Sequence, residues 1–211
     1  SSSAASDVYK RQVEHYQQNL DGTYSLVETE NLTGATDSMV TATVKAYEGF
    51  THNPAVEGTL LSATVAGNGS TVLSVYYDRN TYTVSYDLNG GTVGEDVQTQ
   101  FEGIRHGDTT PTIDDPARTG YIFAGWTPEV TDTVTGDVTY VAQWTPVTFD
   151  IDVQVVNGTS DAATAGTTVN YGGDVTYTFT PNDGYVLDSA MVDGNPAALS
   201  ADGTFTFNAC L

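Results

Sequence analysis

Three glycine–aromatic pairs mark matching corners along this chain: Gly49-Phe50, Gly120-Tyr121 and Gly184-Tyr185. These corners recur at intervals of roughly 65 residues, inside one shared grammar. An alternating strand leads to a Gly-rich turn, then the corner, then Thr/Val/aromatic alternation. Such a pattern leaves no room for a single large core. It specifies three small tandem units, with boundaries near Asn80 and Pro146. Within them the hydrophobic period is two. Tyr82, Val84, Tyr86 and Leu88 alternate with Thr81, Thr83, Ser85 and Asp87, which sends one face to a core and the other to water. The chain has 34 Thr, 24 Val, 13 Tyr and 7 Phe, residues that suit a pleated, half-buried surface. The expected class is therefore mainly β.

Unit one covers residues 13–79. Leu20-Asp21-Gly22 lies between two β-prone runs and predicts a hairpin from Val13 to Glu30. Ala66-Gly67-Asn68-Gly69 predicts a second turn, leading into a strand from Thr71 to Tyr77. Ser38–Tyr47 fits a strand or a short helix, and Val40, Thr41, Thr43 and Val44, being β-branched, favour the strand. Unit two covers residues 80–146 and closes on a strand with Val138, Tyr140, Ala142 and Trp144 on one face. Its Pro111–Pro128 segment, with three prolines, reads as mostly extended loop. Unit three covers residues 147–211. Phe149, Ile151, Val153 and Val155 alternate as a strand, and Asp193-Gly194 and Asp202-Gly203 predict hairpins. Its C-terminus is expected to be truncated, leaving an exposed sheet edge. Linkers of only a few residues restrict the angle between neighbours and favour an extended rod.

Charge excludes several functions. Against 27 Asp plus Glu stand six Lys plus Arg, for a net charge of -21. A nucleic-acid binder needs a basic stripe, and an anionic membrane surface needs the same. With 39% hydrophobic and only 16% charged residues, the chain is also no acidic disordered tail. No apolar run is long enough to span a membrane.

Residues 2–12, Ser-Ser-Ala-Ala-Ser-Asp-Val-Tyr-Lys-Arg-Gln, resemble the translation of a transposon adapter used in sequencing libraries. Residues 1–12 are therefore expected to be a non-native leader, and Cys210-Leu211 the start of a matching adapter. The chain would then be a window onto a longer reading frame assembled from metagenomic DNA. Without the leader, four bases face 26 acids.

Unit two resembles the Listeria–Bacteroides repeat, the B-repeat of internalin B and many bacterial surface proteins. The matching residues are Tyr82-Thr83-Val84-Ser85-Tyr86-Asp87-Leu88-Asn89-Gly90-Gly91, Pro116 through Trp126, and Val138 through Trp144. Thr127-Pro128 departs from the family, which usually has another aromatic after the tryptophan. Unit one is similar to mucin-binding-protein-like repeats through Val13-Glu14-His15-Tyr16, Asn19–Tyr24 and Tyr47-Glu48-Gly49-Phe50-Thr51. Unit three is similar to divergent B-repeats through Phe179–Tyr185. The resemblance implies three tandem small β-grasp-like domains with little or no helix. It also implies an extracellular, cell-surface stalk or adhesin, and no catalytic residue.

Few residues carry chemistry. Tyr121, Phe123, Trp126 and Trp144 read as the core of unit two. The alternative is a glycan-stacking platform, with Tyr121 and Trp126 as the ligand contacts. His15, His52 and His106 are far apart in sequence and read as solvated, with no metal-ligand spacing. Calcium is the only cofactor weighed. Its candidates, Asp114-Asp115, Asp150/Asp152 and Asp193/Asn195, fit no known calcium loop and read as solvated faces and turns. No nucleophile elbow or Ser/His/Asp pattern exists, so no enzyme is expected. Lys45 is the sole lysine after residue 12 and the only possible donor of a Lys–Asn cross-link, to Asn31 or Asn53; it reads as solvent-facing. The expected partners are neighbouring repeats, with a host protein or glycan as the rival possibility.

Overall fold

The computed structural model describes residues 7–208, so Cys210-Leu211 lies outside the described residues. The chain is mainly β. β1 (Val8–Gln18) and β2 (Tyr24–Ala35) form the expected antiparallel hairpin. Its loop closes with Gly22 N–H donating to Asn19 O at 3.0 Å, and Gly22 takes φ 88°, a value open to glycine at no steric cost. β3 (Met39–Thr41), β4 (Phe50–His52), β5 (Ser62–Thr64) and β6 (Thr71–Arg79) follow. β6 runs parallel to β1, and the sheet order is β2-β1-β6-β4, with β3 and β5 paired apart. Between β1 and β6 lies the buried cluster of Val13, Leu73, Val75 and Tyr77, joined by Ala42.

β7 (Thr81–Asp87), β8 (Gln100–Arg105), β9 (Tyr121–Thr127) and β10 (Val138–Pro146) take the order β8-β7-β10-β9. This is the first sheet's order again. The opening strand sits between its hairpin partner and the closing strand, and the strand after the corner lies outside. The remaining elements are β11 (Thr148–Asp150), β12 (Gly158–Ser160), the single-turn helix α1 (Ala162–Ala165), β13 (Thr168–Asn170), β14 (Val175–Pro181), β15 (Ala190–Val192), β16 (Asn195–Ala197) and β17 (Thr204–Phe207). They form a β11-β13 pair, a β12-β14-β17 sheet and a β15-β16 hairpin, with β17 outermost on β14. The Val192–Asn195 hairpin turns on Asp193 (φ 49°) and Gly194 (φ 77°), both left-handed as a two-residue hairpin turn requires.

The chain forms two compact units. One holds the residues up to Asp87 with Gln98–Ile113 and Pro128–Tyr140; the other holds Leu88–Val97, Asp114–Thr127 and the residues from Val141 onward. Within each, a matching turn recurs. In the first unit Ser38 N–H donates to Ala35 O at 3.1 Å, and Asp108 N–H to Arg105 O at 2.9 Å. In the second, Gly173 N–H donates to Asn170 O at 2.8 Å. The third residue of each turn is left-handed: Asp37 (φ 63°), Gly107 (φ 80°) and Gly172 (φ 71°). The second residues are Thr36, His106 and Tyr171.

The three corners are alike as well. Phe50 N–H donates to Tyr47 O and Tyr121 N–H to Arg118 O, both at 3.1 Å, and Tyr185 N–H to Asn182 O at 3.0 Å. Gly49, Gly120 and Gly184 sit at φ 75°, 77° and 87°. At the first corner, Asn80 N–H donates to Gly49 O at 2.8 Å and His106 N–H donates to Asn80 O at 2.8 Å. At the second, Val147 N–H donates to Gly120 O at 2.9 Å and Tyr171 N–H donates to Val147 O at 2.8 Å. A Cβ on Gly49 would lie 2.1 Å from the His106 ring, and one on Gly120 would lie 2.3 Å from the Tyr171 ring. Each ring occupies the space that a side chain would take.

Several expectations are corrected. β1 starts at Val8 and β2 runs to Ala35, so the hairpin is longer than the expected Val13 to Glu30. A strand is propagated by backbone hydrogen bonds, and Val8-Tyr9 has strong β propensity. Ser38–Tyr47 contributes only β3, and beyond it Ala42 and Tyr47 pack against the β1–β6 core. Pro111–Pro128 contains β9, since its prolines lie outside Tyr121–Thr127. Phe149–Val155 is strand only to Asp150. The Asp202-Gly203 turn feeds β17 to β14, not to the strand before it.

Leu73, on β6 in register with Val13 of β1, is fully buried. Leu73→Ala should lower unfolding free energy by about 2–5 kcal/mol in urea titration, the usual range for such a cavity.

Candidate functional site

Sequence reading placed all three histidines in solvent, and the structure overturns this. His15 is fully buried. Its position on β1 opposite Val75 points it into the core, and a bulge beside Tyr16 re-aims the strand there. His15 Nδ1 lies 3.0 Å from Tyr77 Oη, and His15 Nε2 lies 2.8 Å from Glu30 Oε1. Tyr77 Oη already accepts the Lys45 backbone N–H at 2.9 Å, so its hydroxyl proton is free to donate to Nδ1. The neutral Nε2–H tautomer then satisfies every partner at once, which is what a buried imidazole requires. His52 and His106 are part-buried, His52 against the Tyr77 ring at 6.0 Å and His106 against Phe50 at 5.9 Å.

Lys45 extends the network. Its Nζ pairs with Glu28 and lies 3.5 Å from Glu30 Oε2, so its amine faces carboxylates. Asn31 and Asn53, the two cross-link candidates, hydrogen-bond Gln12 and Asp78 instead. Tyr47 Oη donates to Glu28 at 2.6 Å. The hydrogen bond from Lys45 holds the Glu28 carboxyl below its ordinary range, and the one from His15 does the same for Glu30. The Glu28 hydrogen bond raises Lys45 in turn, and burial pushes the Tyr47 phenol up. This cluster fastens the loop after β3 to the β1–β2 hairpin. Its groups pair with one another.

A second cluster is open. Asn89 (φ 47°) and Gly90 (φ 82°) turn the chain after β7, and Gly91 leaves room for Trp144, since a Cβ there would lie 2.4 Å from the indole. Trp144 Nε1–H donates to Leu88 O at 3.2 Å. The Arg118 guanidinium stacks over Tyr121 at 4.0 Å and reaches the Trp144 ring at 6.0 Å. With Gly90, Thr92 and Pro116 these side chains line a cleft of about 660 Å³. Phe123 packs edge-on against both Trp126 and Trp144.

The four aromatics are not the buried core expected of them. Tyr121 is exposed, and Phe123, Trp126 and Trp144 are half-buried, while Val84, Tyr86, Val134, Tyr140 and Ala142 are buried. Of the two expected ligand contacts, Tyr121 lines the cleft and Trp126 stands behind Phe123. Arg118 was the missed member: its only signal was its place three residues before an exposed corner aromatic. Two of the acidic candidates are engaged in local bonds. Asp150 accepts Thr168 O–H at 3.0 Å, and Asp152 accepts from Gln154 at 3.1 Å. Among the described residues no three His, Cys, Asp or Glu side chains converge as metal ligands, and no helix is long and apolar enough to cross a membrane.

The Asn89-Gly90-Gly91 turn, the Arg118–Tyr121 corner and Trp144 together define the middle repeat. Residues 82–146 match the Listeria-Bacteroides repeat domain. A protein of Evansella cellulosilytica described as a Gly-rich membrane protein is 33% identical over 86 residues, covering 36% of this chain. The chain spans 9% of that relative's length. Among solved structures, domains 3-4 of the Streptococcal High Identity Repeats in Tandem from a cell surface protein are 18% identical. That match covers 66% of this chain and 99% of theirs, at a TM-score of 0.25. The open cleft lies wholly within the Listeria-Bacteroides repeat, and the His15 cluster wholly before it.

The charged part of the His15 cluster gives a pH signature. Glu28 and Glu30 are lowered from an ordinary value of 4.5, so their contribution is present above that pH and is lost as pH falls through their folded values. Lys45 is raised from 10.5, so its contribution persists below that pH and is lost as pH climbs through its folded value. The stability difference between wild type and Lys45→Met should therefore be largest between about pH 5 and pH 10 and should shrink on either side. Urea midpoints across that range test it.

Proposed function

We propose that this chain is a spacer segment of a multi-repeat bacterial surface protein, extracellular, and that it projects a distal domain from the cell. On this reading the repeats are residues 13–79, 80–146 and 147–211, and the chain's main partners are its own neighbouring repeats. The observation that carries it is the recurrent junction. The residue that follows each closing strand, Asn80 or Val147, hydrogen-bonds the corner glycine behind it and the aromatic turn ahead. A linker held at both faces restricts the angle between neighbours. Acidic, Thr-rich faces keep such an array soluble and apart from its copies. Small-angle scattering of the full chain should give a radius of gyration well above the about 17 Å of a compact chain this long; a value at that figure overturns the reading.

A second reading has its own observation. In the Arg118–Tyr121–Trp144 cleft a guanidinium lies over one ring and near a second, a combination suited to a glycan with a carboxylate. On this reading the chain is an adhesion module. Saturable binding on a glycan or host-protein array, lost in Arg118→Ala with the fold intact, would establish it. A blank array leaves the spacer. Neither reading uses catalysis.

A further inference from the structure

We infer that the corner at Gly184 is an open docking site for the aromatic–glycine turn of another repeat of this build. The inference rests on the spacer reading. Three corners share one backbone: an N–H to C=O bond across four residues and a glycine at φ 75–87°. Two of them are filled by a ring from the following repeat, His106 at Gly49 and Tyr171 at Gly120, each ring standing where a Cβ would be. At Gly184, no described atom beyond its two chain neighbours lies within 4 Å of that position. Beside it Tyr185 is 54% exposed and Val186 84% exposed, an apolar edge continuous with the empty corner.

The occupant follows from the two filled examples. Each ring precedes a left-handed glycine, Gly107 or Gly172, and its own N–H is bonded to the residue that links the repeats. A partner must therefore bring an aromatic–glycine pair on the turn after its first hairpin. A second copy of this chain has none to offer. His106 and Tyr171 are seated, and the equivalent turn of the first repeat carries Thr36-Asp37, with Thr36 N–H bonded to Asp7 O at 2.8 Å in the same way. Thr36 has no ring to insert, so head-to-tail association of copies is blocked by one side chain.

That block supplies the test. Thr36→Tyr with Asp37→Gly gives the first repeat the missing pair, and the glycine also relieves the left-handed Asp37. Untethered, the contact is a single ring, so the measurement belongs near millimolar protein, the effective concentration of a short tether. In this double variant the Gly184 amide resonance should move upfield as concentration rises, from the current of the docked ring. Sedimentation should show open-ended head-to-tail oligomers, as a contact between unlike surfaces produces. Wild type should show neither, and adding Gly184→Val should abolish both. A Gly184 resonance that ignores concentration in a folded double variant overturns the inference, as do oligomers that survive Gly184→Val. Failure of the spacer reading shows separately, in the scattering of the wild-type chain.

Discussion

Everything in the two repeated sheets follows from where the closing strand ends. In the first repeat β6 runs up the middle of the sheet, parallel to β1, and pairs on its other side with the strand that leaves the corner. Phe50 therefore lies opposite Arg79. In the second, Tyr121 lies opposite Pro146 for the same reason. The chain leaves each repeat beside the glycine that opened its last edge. One residue then suffices as a linker, and its N–H finds the glycine carbonyl within reach. The next repeat begins under that constraint, and its first turn lays a ring on the glycine. Backbone pairing sets the position, and the missing Cβ sets the fit.

Much of this was legible in the sequence. The Asp21-Gly22 and Asp193-Gly194 turns name their hairpins because only left-handed residues close them. The period-two run through Tyr82, Val84 and Tyr86 names β7 and the buried face it carries. The three corners were visible as glycine–aromatic pairs. Their use was not. The role of Gly49 is defined by His106, and that pairing comes from strand order, which no local pattern encodes. The same holds for His15. Flanked by charged and polar residues, it reads as a surface histidine until β6 places Tyr77 against one nitrogen and β2 places Glu30 against the other. The cleft aromatics failed in the opposite sense. Four large rings near one corner suggest a core, yet Val84, Tyr86, Tyr140 and Ala142 on β7 and β10 take the interior, and the four rings are left around Arg118.

The two clusters divide the work of polar groups. The His15 network is closed: each donor meets an acceptor, and its charges hold loop to hairpin. Arg118 is placed differently: its guanidinium lies over the Tyr121 ring, donates to Asn89 O at 3.2 Å and lines the cleft. A guanidinium held flat by stacking loses little freedom on meeting a ligand, so this cleft and not the buried histidine carries the adhesion reading.

The placement of the ring has a consequence for how such arrays change over generations. The second and third repeats each carry a glycine corner and, on the turn after the first hairpin, a ring that meets the corner behind. A whole repeat copied or lost by unequal exchange between like sequences brings both halves along in register. The surfaces that meet are then already matched, and the length of the protein can drift without any new interface having to arise. The first repeat, with Thr36 where others have a ring, is the one position where that interchange is broken.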